Sequence, residues 1–313
     1  MKDWFISLSS HFQSLIISAS TSLFICIFPL LFTIFREKYI LRYKLKKEYL
    51  FNQRIGIKEC LASSRTPLIK ASEELNYRLW NLSNNIDKKW HSRTNAEIKT
   101  LGKCYYLKSL VYRLLVFLYW IDKAEKDIYN FDFSIAEKEE KSYLKYIKVL
   151  KHFFCESDLL KDIGYDCSRD DAHFYKDNIN IYINYIQEDS SIISYRDFEL
   201  KMVKDYSQID SVVNYIAGIE SSDNNLQYNI FKSFHLFLIL FLNKYGLDYH
   251  YTDRNKFKNL ISEKYSSISI KPALLRYFKR NKATKEAMWI IKYLHLEPQF
   301  SINFVKRICK HNK

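Results

Sequence analysis

Five glycines and four prolines are all that punctuate 313 residues, well below the roughly 7% and 5% of an average chain. The glycines stand apart at positions 56, 102, 164, 218 and 246, so neither a G-x-G-x-x-G turn nor a G-x-x-x-x-G-K-[ST] phosphate cradle can be built from them. A fold of many short strands and tight turns would need more of both residues. Cysteine is sparse too, with six residues at 26, 60, 104, 155, 167 and 309 and no C-x-x-C pair. That excludes a dense secreted disulfide framework and fits reduced thiols in a cytosolic domain. No H-E-x-x-H, G-x-S-x-G or triad-like arrangement is legible, and no cofactor is expected. Aromatic residues, by contrast, reach 17% of the chain, as 25 Tyr, 22 Phe and 5 Trp. Composition therefore predicts an all-α fold of long helices.

Phe12 to Phe35 contains no formal charge. As a helix this run is roughly 36 Å long, enough to cross a hydrocarbon core of about 30 Å. A cleaved signal peptide would have a basic start and small residues at a cleavage site. This chain begins with Lys2 and Asp3 and closes the run with Leu31-Phe-Thr-Ile-Phe35, so a retained anchor is expected. Arg36, Lys38, Arg42, Lys44, Lys46 and Lys47 follow at once. The positive-inside rule then puts residues 36 onward in the cytoplasm and Met1 outside, in the cell inner membrane. The flank would lie against anionic lipid at about 1 kcal/mol per cation. A second span near 227–243 is the alternative to a single pass. Its uncharged core, Ser233 to Asn243, is short and Lys232 interrupts it, which favours a core helix.

The expected organisation is an N-terminal segment 1–35 with the membrane helix at about 12–35, a basic juxtamembrane helix 36–54, and a helical cytoplasmic domain 55–222. A basic C-terminal helical region 223–313 follows, separate or part of the same domain. Of the net +14, residues 36–54 carry seven basic against two acidic side chains and residues 251–313 fifteen against four. Such ends suit lipid headgroups or nucleic acid, against the plainer alternative of solvated helix faces. Thr66-Pro67 reads as a helix start, followed by an apolar stripe through Leu68, Ala71, Leu75, Leu79 and Leu82. Further helices are predicted over 102–130, 136–155, 208–220, 225–244, 254–264, 272–281, 284–295 and 301–310. Segment 178–186 alternates like a strand at Ile179, Ile181 and Ile183, yet Tyr182 and Ile186 suit a helix, which is preferred.

Three constellations could carry chemistry. His152-x2-Cys155 with Cys167-x5-His173 could make a Cys2His2 metal site, though buried cysteine is common in helical cores. Asp197-x-Glu199-x-Lys201 matches the E-x-K of metal-dependent nucleases, but reads better as a helix start capped by Ser194. Arg276, Lys279, Arg280, Lys282 and Lys285, interleaved with Tyr277 and Phe278, could contact phosphates or lipid and stack on a base. Lys108 and Arg113, inside an apolar helix, would snorkel or pair with an acid.

Two blocks resemble a group of bacterial membrane-anchored helical proteins. The first is Arg65-Thr-Pro-Leu-Ile-Lys-Ala71, continuing to Leu75 and Arg78-Leu-Trp-Asn-Leu82. The second is Tyr105–Trp120, running into Ile121-Asp-Lys-Ala-Glu-Lys126 and ending at Asn130-Phe-Asp-Phe133. Some similar proteins are the transmembrane effectors of antiphage retron systems, from which this chain departs in showing one clear span where they often have two. The resemblance implies a toxic arm that acts on the inner membrane to arrest or kill the infected cell. It also implies restraint by a reverse transcriptase with its RNA–DNA hybrid, and self-association in the membrane. It supplies no catalytic residues. A tethered metal-dependent nuclease, or a membrane scaffold for a nucleoprotein partner, are the competing expectations.

Overall fold

With so little glycine and proline to stop them, the helices run long, beginning with α1 (Ser10–Asn85). The structure, a computed structural model, describes residues 9–128, 133–160, 165–166, 172–189, 191–222, 225–262 and 270–295. It is mostly helical, at 79%, and divides into two compact units, Met1–Gly56 and Ile57–Lys313.

The first unit is the N-terminal part of α1. None of its described side chains is buried. Pro29 sits inside the helix without ending it. The predicted start at Thr66-Pro67 is likewise absent, because α1 continues through both residues. An interior proline costs about 3 kcal/mol. Here it interrupts a stripe that is buried on both sides of it, through Ile57, Leu61, Ser64, Leu68, Ala71, Leu75 and Arg78. That alternation of four and three residues keeps one face of the helix on the core, and its burial offsets the lost hydrogen bond.

The second unit adds α2 (Asn95–Ile98), α3 (Tyr105–Ile128), α4 (Lys138–His152), α5 (Asn178–Tyr185), α6 (Tyr195–Lys204) and α7 (Asp210–Ala217), then α8 (Leu226–Tyr245), α9 (Arg254–Ser262), α10 (Lys271–Arg280) and α11 (Met288–Tyr293). The predicted helix at 301–310 lies outside the described residues. Segment 178–186 is helical, as preferred. It runs into a two-residue antiparallel ladder that pairs Gln187 with Ile192 and Glu188 with Ser191, the sole β structure among the described residues.

Helix α3 is the hub, packing against α4, α5, α6 and α7, while α8 packs on α4. Helix α8 is buried on every side from Tyr228 to Leu242, its Asn229, Lys232, Ser233 and His235 included. The segment 227–243, the alternative second span, is thus packed inside the helical unit, and it is not among the described helices long and apolar enough to cross a membrane. Aromatic rings fill the space around it. Phe234 lies 4.6 Å from Phe154 and 5.6 Å from Phe117, and Phe237 lies 5.0 Å from Tyr146 and 5.3 Å from Phe278. Offset and edge-on rings at these separations add about 0.5–1.5 kcal/mol per pair beyond burial.

His235 shares this core. Its Nε2–H donates to Asn76 Oδ1 at 3.0 Å, and burial, reinforced by the Lys232 charge, pushes its imidazole down to about 3. Burial also lowers His91 and His152. A histidine whose folded pKa is depressed gives stability that is complete above its unfolded value near 6.5 and lost as pH falls below it. Between pH 7 and 5 His235 alone should remove about 2 kcal/mol. The thermal midpoint is therefore expected to fall on that acidification, and less steeply in His235→Gln. Equal slopes in the two proteins would contradict the assignment.

Candidate functional site

The most distinctive surface is the apolar part of α1. Leu23, Phe24, Ile25, Phe28, Leu30, Phe32 and Phe35 are each more than half exposed, whereas soluble proteins seldom leave so continuous an apolar surface in water. It is the one helix among the described residues long and apolar enough to cross a membrane. Phe24, Phe28 and Phe32 stack along it at ring separations of 5.1 and 6.4 Å. Three of its hydroxyls bond the helix itself: Ser14 donates to His11 O, Thr21 to Ile17 O and Thr33 to Pro29 O, at 2.7–2.8 Å. A polar side chain that bonds its own helix carries no unmet donor into a medium without water. Arg36, Lys38, Arg42, Lys44, Lys46 and Lys47 continue the same helix, all exposed.

In the basic C-terminal group, Arg276, Lys279 and Arg280 lie on α10, with Lys282 and Lys285 just beyond it, and all five are exposed. They are not equivalent. Arg280 is paired with Glu156 and, at 2.6 Å, with Asp158. The interleaved aromatics do not face solvent. Tyr277 and Phe278 are core residues, and the Tyr277 hydroxyl donates to Val149 O at 2.8 Å. Base stacking by these rings is therefore excluded. The amphipathic period of α10 turns its cations out and its rings in.

Three of the four residues of the metal constellation are described. Cys167 lies outside the described residues. Burial pushes the Cys155 thiol up to about 12, the opposite of what a thiolate ligand needs. His152 faces Glu125 at 4.0 Å, while His173 sits between Tyr165 and Tyr175. Among the described residues no group of three or more His, Cys, Asp or Glu is placed to hold a metal ion.

Asp197, Glu199 and Lys201 lie on one helix, α6, and each has structural work. Ser194 caps α6 by accepting from Asp197 N–H and donates its hydroxyl to Asp197 Oδ2 at 2.6 Å. Glu199 Oε1 accepts from Gly102 N–H at 2.9 Å and pairs with the fully buried Lys108 at 3.4 Å. Lys201 donates to Tyr185 O at 2.8 Å. So Lys108 pairs with an acid rather than snorkelling. Arg113 lies 3.8 Å from Glu74 and donates to the Ser109 carbonyl.

Sequence reasoning passed over a cleft in the second unit that brings α1 residues 73–80 together with residues 249–256. No local pattern announces it, because its walls come from segments far apart in the chain. No family model, curated protein or solved structure matches this chain.

Proposed function

We propose that this protein is a membrane-anchored effector of an antiphage defence system, of the retron type, that acts on the inner membrane to arrest or kill the infected cell. The observation that carries the anchor is the exposed apolar length of α1, with its basic continuation and with Ser14, Thr21 and Thr33 bonded back to the helix. A helix of this kind finds a better solvent in lipid than in water, and its flank orients the helical unit to the cytoplasm. The defence role is supported by the resemblance of residues 65–82 and 105–133. On that reading a reverse transcriptase with its RNA–DNA hybrid holds the protein in check. Action on the bilayer involves several copies, since one helix cannot enclose a pathway for ions. The helical unit serves as the part that is restrained and released. The protein then acts without hydrolytic chemistry, in keeping with the structural engagement of Asp197, Glu199 and Lys201.

The test is induced expression of three forms in cells that lack the neighbouring genes. They are the intact chain, a chain without residues 1–35, and a chain carrying Asp197→Asn with His152→Gln. Growth arrest with loss of membrane potential is expected in the first and third forms and not in the second. Toxicity that survives truncation but not the paired substitutions would replace this reading with a tethered enzyme. Harmlessness of all three would replace it with a scaffold.

A further inference from the structure

Four aromatic side chains surround one cleft of about 450 Å³ in the helical unit: Tyr77 and Trp80 from α1, and Tyr249 and Tyr251 from the loop after α8. Tyr77, Tyr249 and Tyr251 are 70%, 72% and 55% exposed, in a protein that packs most of its rings into the core. Three tyrosines left in solvent at one place are the kind of surface that binds rather than folds.

The loop that carries two of them is held rigidly. Gly246 closes α8 by donating its N–H to Leu242 O at 2.8 Å. A Cβ there would lie 2.6 Å from Leu242 O and 2.7 Å from His250 Nδ1, so only glycine permits the approach. Leu247 N–H donates to His250 Nδ1 at 2.8 Å, which leaves the imidazole proton on Nε2, 3.1 Å from Glu73 Oε2. The imidazole thus ties the loop to itself through Nδ1 and sets its Nε2 against Glu73 of α1. At the loop's far end, the Asn243 amide exchanges two hydrogen bonds of 2.8 Å with the Thr252 backbone. The tyrosines are presented on a fixed frame, which lowers the ordering cost of binding.

What the cleft accepts is indicated by a side chain already in it. Lys256 Nζ stands 4.7 Å from the centroid of Trp80, whose ring is braced edge-on by His235 at 5.2 Å. The rest of the lining is of mixed charge: Glu73, 3.1 Å from His250 Nε2, and Glu74, 44% exposed and 3.8 Å from Arg113, which also lines the cleft. Aromatic faces attract ammonium groups, and Trp80 already holds one. We infer that this cleft is a binding site for an alkylammonium group, carried by a small amine or by a lysine side chain, which takes the place of Lys256 on Trp80 among the tyrosine rings. The inference is independent of the membrane reading.

The test uses the full chain in detergent, titrated at constant ionic strength with choline, with the neutral carbon isostere of choline, and with Nα-acetyl-lysine amide, whose side-chain ammonium is free. Binding is followed by the fluorescence that is lost in Trp80→Phe. Saturable binding of choline or of the lysine amide is expected, and none of the neutral isostere. Whichever amine binds more tightly identifies the source of the ammonium. Lys256→Met removes the internal competitor and should tighten binding roughly two- to fivefold. Tyr249→Ser, a change at an exposed ring, should weaken it. The inference is overturned if the isostere binds as well as choline. It is equally overturned if Lys256→Met, with wild-type circular dichroism, binds neither amine or binds no more tightly than wild type.

Discussion

Glu199→Ala is expected to lower the stability of the helical unit by about 3–5 kcal/mol, the cost of breaking a buried ion pair from one side. Lys108 is fully buried in α3, with its Nζ 2.8 Å from Thr100 O and 3.4 Å from Glu199 Oε1. The same carboxylate oxygen accepts from Gly102 N–H at 2.9 Å. Alanine therefore leaves an ammonium without its counter-charge and a backbone donor without its acceptor, both away from water. For a domain of this size each kcal/mol shifts the melting point by about 2–4 °C, so a drop on the order of 10 °C should appear in a thermal melt in detergent. Lys108→Met combined with Glu199→Leu removes both charges and should recover much of the loss, because apolar replacement of a whole buried pair is often neutral. If the single alanine variant melted within a degree or two of wild type, the pair would have to be hydrated rather than buried.

The second large effect concerns the anchor. Ile25→Lys should prevent stable insertion, since a charge at the centre of a membrane helix costs about 2.5–3.5 kcal/mol on insertion scales. Ile25 is near the midpoint of the uncharged run, about 15 Å from one end and about 20 Å from the other at 1.5 Å per residue, too far for a lysine stem to reach either interface. The variant is expected in the carbonate-extractable fraction, whereas wild type stays in the membrane pellet. Tyr39→Lys, beyond the run and among cations, should leave the distribution unchanged. Equal retention of Ile25→Lys and wild type would show that α1 does not cross the bilayer, and the toxicity experiment would then lose its premise.

Several elements were legible because their signal is local. The uncharged stretch, the apolar stripe of α1 from Leu68 to Leu79, the amphipathic α3 and α4, and the Ser194 cap of α6 all follow from spacing within one helix. Thr66-Pro67 misled for a physical reason: a proline signal is also local, and the packing of Ile57, Leu61 and Ser64 upstream overrides it. The C-terminal cations are exposed, but the rings between them were read with them, whereas the helical period of α10 puts Tyr277 and Phe278 on its buried side. Nothing in the neighbourhood of Glu199 told that its partner would be Lys108, 91 residues earlier.

The sequence by itself determined that the chain is helical, that one helix is apolar and uncharged for 24 residues, and that its charge gathers at two places. Each of these depends only on which residues are near one another along the chain. The tertiary structure alone decided that Glu199 neutralises Lys108, and that Tyr77, Trp80, Tyr249, Tyr251 and Lys256 line one cleft. Those outcomes depend on which helix faces close on which. That choice is made by the packing of the whole aromatic core, and no window of sequence contains it.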